Sequence, residues 1–134
     1  MAQREIEIIL TRQLASHLVM PTFIVDPKGT LLFYNEAAEP ILGKRFDETG
    51  EISAEEWTAM FQPTDVNGRP VPMDEIPLMI SLSRGHPAHL SCFIRGLDGV
   101  QRQIEVTSFA LIGQAKRIVG GVSFFWEVPS VGGK

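Results

Sequence analysis

The sequence predicts an α+β domain: a five-stranded antiparallel sheet with its helices inserted between the second and third strands. Two observations carry this expectation. A hairpin near the start, "PTFIVDPKGTLLFY", runs straight into a short helical stretch, "NEAAEPILG". The last third of the chain is a series of alternating apolar runs separated by glycine-containing turns.

Residues 2–18 lack Gly and Pro, and Ile6, Leu10, Leu14 and Leu18 recur every fourth position with Ile9 and His17 beside them. That spacing predicts an amphipathic helix, and Pro21 prevents its continuation. "PTFIV" and "TLLFY" are strands joined by "DPKG", with Pro at the second turn position and Gly at the fourth. Asn35 is placed to cap the helix "EAAEPILG"; Gly43 closes it, and Pro40 is expected to distort its last turn. In "SAEEWTAMF", Ser53 and Glu56 have capping-box spacing, and Trp57, Met60 and Phe61 face inward. "QPTDVNGRPVP" reads as loop. Asp74 is then expected to cap "EIPLMISLS", with Pro77 in the first turn and Arg84 and Gly85 at the end.

Three strands follow, at Ala88–Arg95, Gln101–Ile112 and 117–128, joined by "GLDGV" and "GQAKR". A strand alternates its faces. The more apolar parity assigns Leu90, Cys92, Ile94, Ile104, Val106, Val122, Phe124 and Trp126 to the core. The opposite parity turns Phe93, Phe109 and Phe125 outward.

The bulk numbers exclude several functions. With 134 residues the chain suits one domain: a helix at 1–18, the domain at 19–128 and a tail at 129–134. A net charge of −4 without a Lys/Arg run argues against nucleic acid. Arg84, Arg95, Arg102, Lys116 and Arg117 fall near strand ends and turns. No apolar run approaches the ~20 residues of a bilayer span, and the N-terminal stretch lacks the features of a signal peptide. Cys92 is the one cysteine, which rules out an internal disulfide and a cysteine-cluster metal site and points to the cytoplasm.

In this order the residues resemble a PAS domain, a small sensory module of bacterial signalling, over residues 18–128. "FIVDPKGTLLFYNEAAEPILG" resembles the family's opening strand pair and first helix, with Asp26 in the turn, Asn35 at the strand's end and the small pair Ala37-Ala38. The stretch from "PLMISLS" to "FFWEV" resembles its helix and three-strand close. The resemblance implies an apolar chamber between helices and sheet. Besides the core-parity strand residues above, Leu42, Trp57, Phe61, Leu78, Met79 and Leu82 would line it.

The cofactor is unknown at this point. Haem-binding members usually ligate iron with a histidine on the helix before the third strand, and "DEIPLMISLS" has none. His86 and His89 come after it, in a turn and on an outward parity, which argues against haem. Light-sensing flavin members carry a reactive cysteine in an "NCRFLQ"-like stretch, and "AEEWTAMFQPTD" has none, which argues against covalent flavin photochemistry. Non-covalent flavin, stacked on Trp57 or Trp126, stays open. The alternative class is a small cone-shaped α+β isomerase or dehydratase, with Asp26, Glu105 and Tyr34 as candidate groups.

The outward Phe93, Phe109 and Phe125 would form an apolar band, since the family's order makes their strands neighbours. The helix stripe Ile6, Ile9, Leu10 and Leu14 could cover it, or both could pair with a second copy. Homodimerisation is the expected use, with a signalling protein as a further partner. The close "WEVPSVGGK" replaces the family's usual Asp-Ile/Val-Thr junction, and Pro129 and Gly132-Gly133 break any continuing helix. The chain therefore reads either as a stand-alone sensor or adaptor or as part of a longer protein.

Overall fold

The structure is a computed structural model and describes residues 5–129, so the first part of the expected N-terminal helix and most of the tail, Gly132-Gly133 included, lie outside the described residues. β1 (Thr22–Val25) and β2 (Leu31–Tyr34) form the expected hairpin. The Asp26 carboxylate organises its turn by accepting hydrogen bonds from the backbone N–H of Lys28 (2.9 Å) and Thr30 (3.0 Å). Gly29 completes it at φ +88°, a conformation that L side chains rarely adopt.

Asn35 does more than cap. Its Oδ1 accepts from Ala38 N (3.2 Å) and Thr22 N (3.0 Å), and its Nδ2 donates to the carbonyls of Ala15 and Met20 (2.9 Å each). One buried amide thus joins the first strand, the first helical turn after the hairpin, and the end of α1 (Ile6–Ala15).

A 3-10 turn at Glu36–Ala38 leads into α2 (Glu39–Leu42), which Gly43 ends in the left-handed conformation. Pro40 lies in the first turn of α2 and not the last, where its missing N–H removes no helical bond. α3 (Phe46–Thr49) follows, then α4 (Ala54–Phe61) with both bonds of the Ser53/Glu56 capping box. α5 (Pro77–Arg84) starts two residues later than expected. Pro77 holds Ile76 extended (φ −71°, ψ 131°), so Ile76 is the N-cap, and Asp74 sits in a separate 3-10 turn.

β3 (Ala88–Arg95), β4 (Gln101–Ile112) and β5 (Ile118–Glu127) complete a five-stranded antiparallel sheet of order β2-β1-β5-β4-β3. The first and last strands, β1 and β5, pair at the centre of the sheet. The helices from α2 to α5 pack on one face around the main core. On the other face α1 buries Ile8 and Ala15 against Ile24 and Leu32. Gly120 permits that approach, since a Cβ there would lie 2.5 Å from Ile8 Cδ1. The stripe Ile6, Leu10 and Leu14 is therefore not the buried face of α1; those residues and Ile9 stay exposed.

The β3–β4 turn docks on the end of α2. Leu97 N donates to Leu42 O (2.7 Å), and Arg102 donates to Ile41 O (3.0 Å) and to both Asp98 oxygens (2.8 and 3.1 Å). The Arg102 hydrogen bonds, then that from Val100 N, hold the Asp98 carboxyl down at about 2. A carboxyl depressed below its unfolded value of ~3.9 stabilises the fold fully above that pH and loses its contribution as pH falls through about 2. Asp98→Asn is accordingly less stable than wild type at neutral pH, and the gap in urea midpoints closes as the pH falls through that window.

Candidate functional site

Between the helices and the inner sheet face lies a chamber of about 80 Å³. Leu42 of α2, Trp57 and Phe61 of α4, and Leu78 of α5 wall it on the helix side. Leu90, Cys92 and Ile94 of β3 with Ile104 and Val106 of β4 form the floor. All nine are expected from the sequence: the five strand positions by parity, the four helix positions from the resemblance. The Trp57 ring meets Phe23 edge-on (5.2 Å between centroids, 76°), and its Nε1 donates to Gly29 O at 2.8 Å. Burial pushes the Cys92 thiol up to about 11, so it stays protonated near neutral pH.

The β5 assignment is reversed. Val122, Phe124 and Trp126 do not line the chamber; Ser123 and Phe125 do. Directly opposed residues of an antiparallel pair share a face, and Val106 opposes Phe125 while Thr107 opposes Phe124 and Glu105 opposes Trp126. Phe124-Phe125-Trp126 is apolar at both parities, so alternation had no signal there and the register with β4 decides. Phe125 is buried, whereas Trp126 is 39% exposed. Val122 is buried on the outer face, opposite Ile24 and Phe109. Met79 and Leu82 pack against the core without reaching the chamber. The sequence reading missed Phe23, Pro63, Ile76 and Pro77. Phe23 falls in β1, whose four residues are all buried and show no alternation.

The outer face differs correspondingly. Phe93, Phe109 and Phe125 form no band, because Phe125 points inward. Phe93 opposes Gln103, six residues from Phe109 along β4, about 20 Å at strand rise. The aromatic group there is Phe109 and Phe124, with rings 5.9 Å apart, and Trp126, 6.3 Å from the His89 ring. Leu111, two residues along β4 from Phe109, packs against the buried face of α1, so the helix lies beside this group on the outer face.

Beside Trp126, the Glu105 carboxylate accepts from Ser91 Oγ (2.6 Å) and pairs with His89 Nε2 (2.6 Å). The Ser91 hydrogen bond and then the His89 contact hold its carboxyl below the usual range. Asp26 is in its turn, Tyr34 OH donates to Lys44 O (2.7 Å), and Glu105 is on the outer face, so none of the candidate catalytic groups lines the chamber. His86 is exposed in the α5–β3 turn. No group of acidic, histidine or cysteine side chains among the described residues could hold a metal ion.

Neither a family model nor a curated protein matches the sequence. Solved structures do match. The PAS domain of nitrogen regulation protein NR(II) from Vibrio parahaemolyticus aligns with a TM-score of 0.63 at 18% identity, over 89% of this chain and 98% of that one. A PAS domain from Colwellia psychrerythraea aligns with a TM-score of 0.63 at 13% identity, over 90% and 97%. The LOV protein of Rhodobacter sphaeroides aligns with a TM-score of 0.74 at 11% identity, over 96% and 71%. Strand order, helices gathered on one face and these alignments together give the chain a PAS-like fold.

Proposed function

We propose that this chain is a non-catalytic sensory and homodimerisation module of signal transduction, holding a small apolar ligand in its chamber without a covalent bond. One observation carries the reading: a single sheet has an apolar chamber on one face and an uncovered apolar surface on the other. A ligand that repositions the floor strands β3 and β4 acts on the same backbone that carries Phe109 and Trp126's neighbours. A soluble domain holding so much apolar surface outside its core needs a partner, and a second copy supplies matching surface. The solved structures with this fold include a domain of a nitrogen regulation protein and a light-oxygen-voltage domain, and that company supports the signalling reading.

The rest of the reading follows from composition. A bacterial, cytoplasmic setting suits the single buried Cys92, and the acidic balance suits neither nucleic acid nor an anionic membrane surface. No helix among the described residues is long and apolar enough to cross a membrane. A downstream signalling protein would read the dimer. Native mass spectrometry of freshly purified protein tests the reading. Expected is twice the chain mass with a small adduct; bare monomer at about tens of micromolar would overturn it.

A further inference from the structure

We infer that the chamber takes a compact, uncharged, apolar molecule no larger than a single six-membered carbon ring, and that neither flavin nor haem fits it. This rests on the ligand-holding reading above and narrows it to a chemical class. The volume is about 80 Å³. A cavity of ~150 Å³ lined by Leu, Ile and Phe stays dry and accepts benzene or xenon. The present chamber is roughly half that size, because four aromatic side chains, Phe23, Trp57, Phe61 and Phe125, project into the space between helices and sheet.

The wall also selects by polarity. None of the surface that faces the chamber is polar. The Trp57 indole N–H is already bonded to Gly29 O, and the Cys92 thiol is a weak donor held protonated by burial. A buried water needs two to four polar partners, so the chamber favours an apolar guest over water. Buried polar groups without hydrogen bonds are strongly disfavoured, so charged or hydrogen-bonding guests are excluded as well.

Light-oxygen-voltage proteins share the fold, and their flavin is the group the fold suggests first. Its fused three-ring system exceeds the volume, and its pyrimidine edge, rich in donors and acceptors, would meet an apolar wall in which Ser123 alone carries a hydroxyl. Haem fares no better. His89 is turned to the outer face and held by Glu105, and His86 is exposed in a turn, so neither imidazole reaches the chamber.

Methyl-detected NMR of the full chain tests this with four probes: xenon, benzene, flavin mononucleotide and haemin. Expected are saturable shifts of the Ile94 and Ile104 methyls with xenon and benzene, no shift of Ile9 on α1, and no effect from the other two. Cys92→Leu fills the chamber and should weaken benzene binding by at least about tenfold; Val106→Ile, a smaller change, should weaken it in the same sense. Stoichiometric flavin or haem binding would overturn the size and polarity limit while leaving the ligand-holding reading intact. Shifts that persist unchanged in both filled variants would place the guest elsewhere and overturn the assignment. If none of the four probes binds and no mass co-purifies, the ligand-holding reading fails, and this inference with it.

Discussion

Trp57→Ala lowers the stability by about 3–5 kcal/mol, the cost of emptying a buried aromatic site. Trp57 is only 6% exposed, lies edge-on to Phe23, and donates its indole hydrogen to the Gly29 carbonyl in the β1–β2 turn. Truncation removes the packing and leaves that carbonyl without its partner, so the hairpin turn loosens along with the chamber wall. A domain of ordinary stability has about 5–15 kcal/mol in hand, so the variant should be marginal. With a urea slope of roughly 1–3 kcal/mol per molar, the midpoint falls by more than about 1 M. The aromatic residues of β5 supply the internal control. Phe125→Ala should be as severe as Trp57→Ala, whereas Trp126→Ala, at a position already 39% exposed, should shift the midpoint far less. Equal effects at Phe125 and Trp126 would contradict the register of β4 with β5.

The contrast between those neighbouring positions shows what a sequence can and cannot disclose. β3 and β4 were legible to the residue, because Leu90, Cys92 and Ile94 alternate with His89, Ser91 and Arg95, interrupted only by Phe93, and glycine-containing turns bound each strand. The capping box of α4 was legible because its chemistry is local. The face of β5 was not, since three consecutive aromatics satisfy both parities and only pairing with β4 chooses between them. α3 was invisible for a related reason. Its four residues carry no period, and Phe46 is anchored by tertiary contacts: edge-on to Phe33 (5.3 Å) and Tyr34 (5.4 Å), with the Arg12 guanidinium 5.7 Å from its ring. Asn35 was recognisable as a cap, but its bonds to the end of α1 depend on a chain segment arriving from outside the local sequence. The stripe on α1 misled for an instructive reason. Small Ala15 and the gap at Gly120 let the helix sit close through Ile8, which leaves the larger Ile6, Leu10 and Leu14 facing away.

Those outward residues set the second large effect: Leu10→Glu and Phe109→Glu each dissociate the proposed homodimer. Leu10 is 55% exposed and Phe109 is 36% exposed in the single chain, so a carboxylate at either place stays hydrated in the monomer and leaves its fold intact. In a dimer that buries the helix stripe against the Phe109, Phe124 and Trp126 group, the same carboxylate loses its water and meets only apolar side chains. A penalty of about 4 kcal/mol weakens association roughly a thousandfold, enough to move a micromolar dimer to monomer at ordinary concentrations. Phe93→Glu is the counter-test. Phe93 shares the outer face but opposes Gln103, far along β4 from Phe109, so its charge should leave the dimer standing. Sedimentation equilibrium of wild type and the three variants at matched concentration separates the outcomes. Dissociation by all three would mean that the interface spans the whole outer face; dissociation by Phe93→Glu alone would move it to the β3 edge. A wild-type chain that stays monomeric at about tens of micromolar would remove the dimer from the reading and leave the helix stripe for a different protein partner.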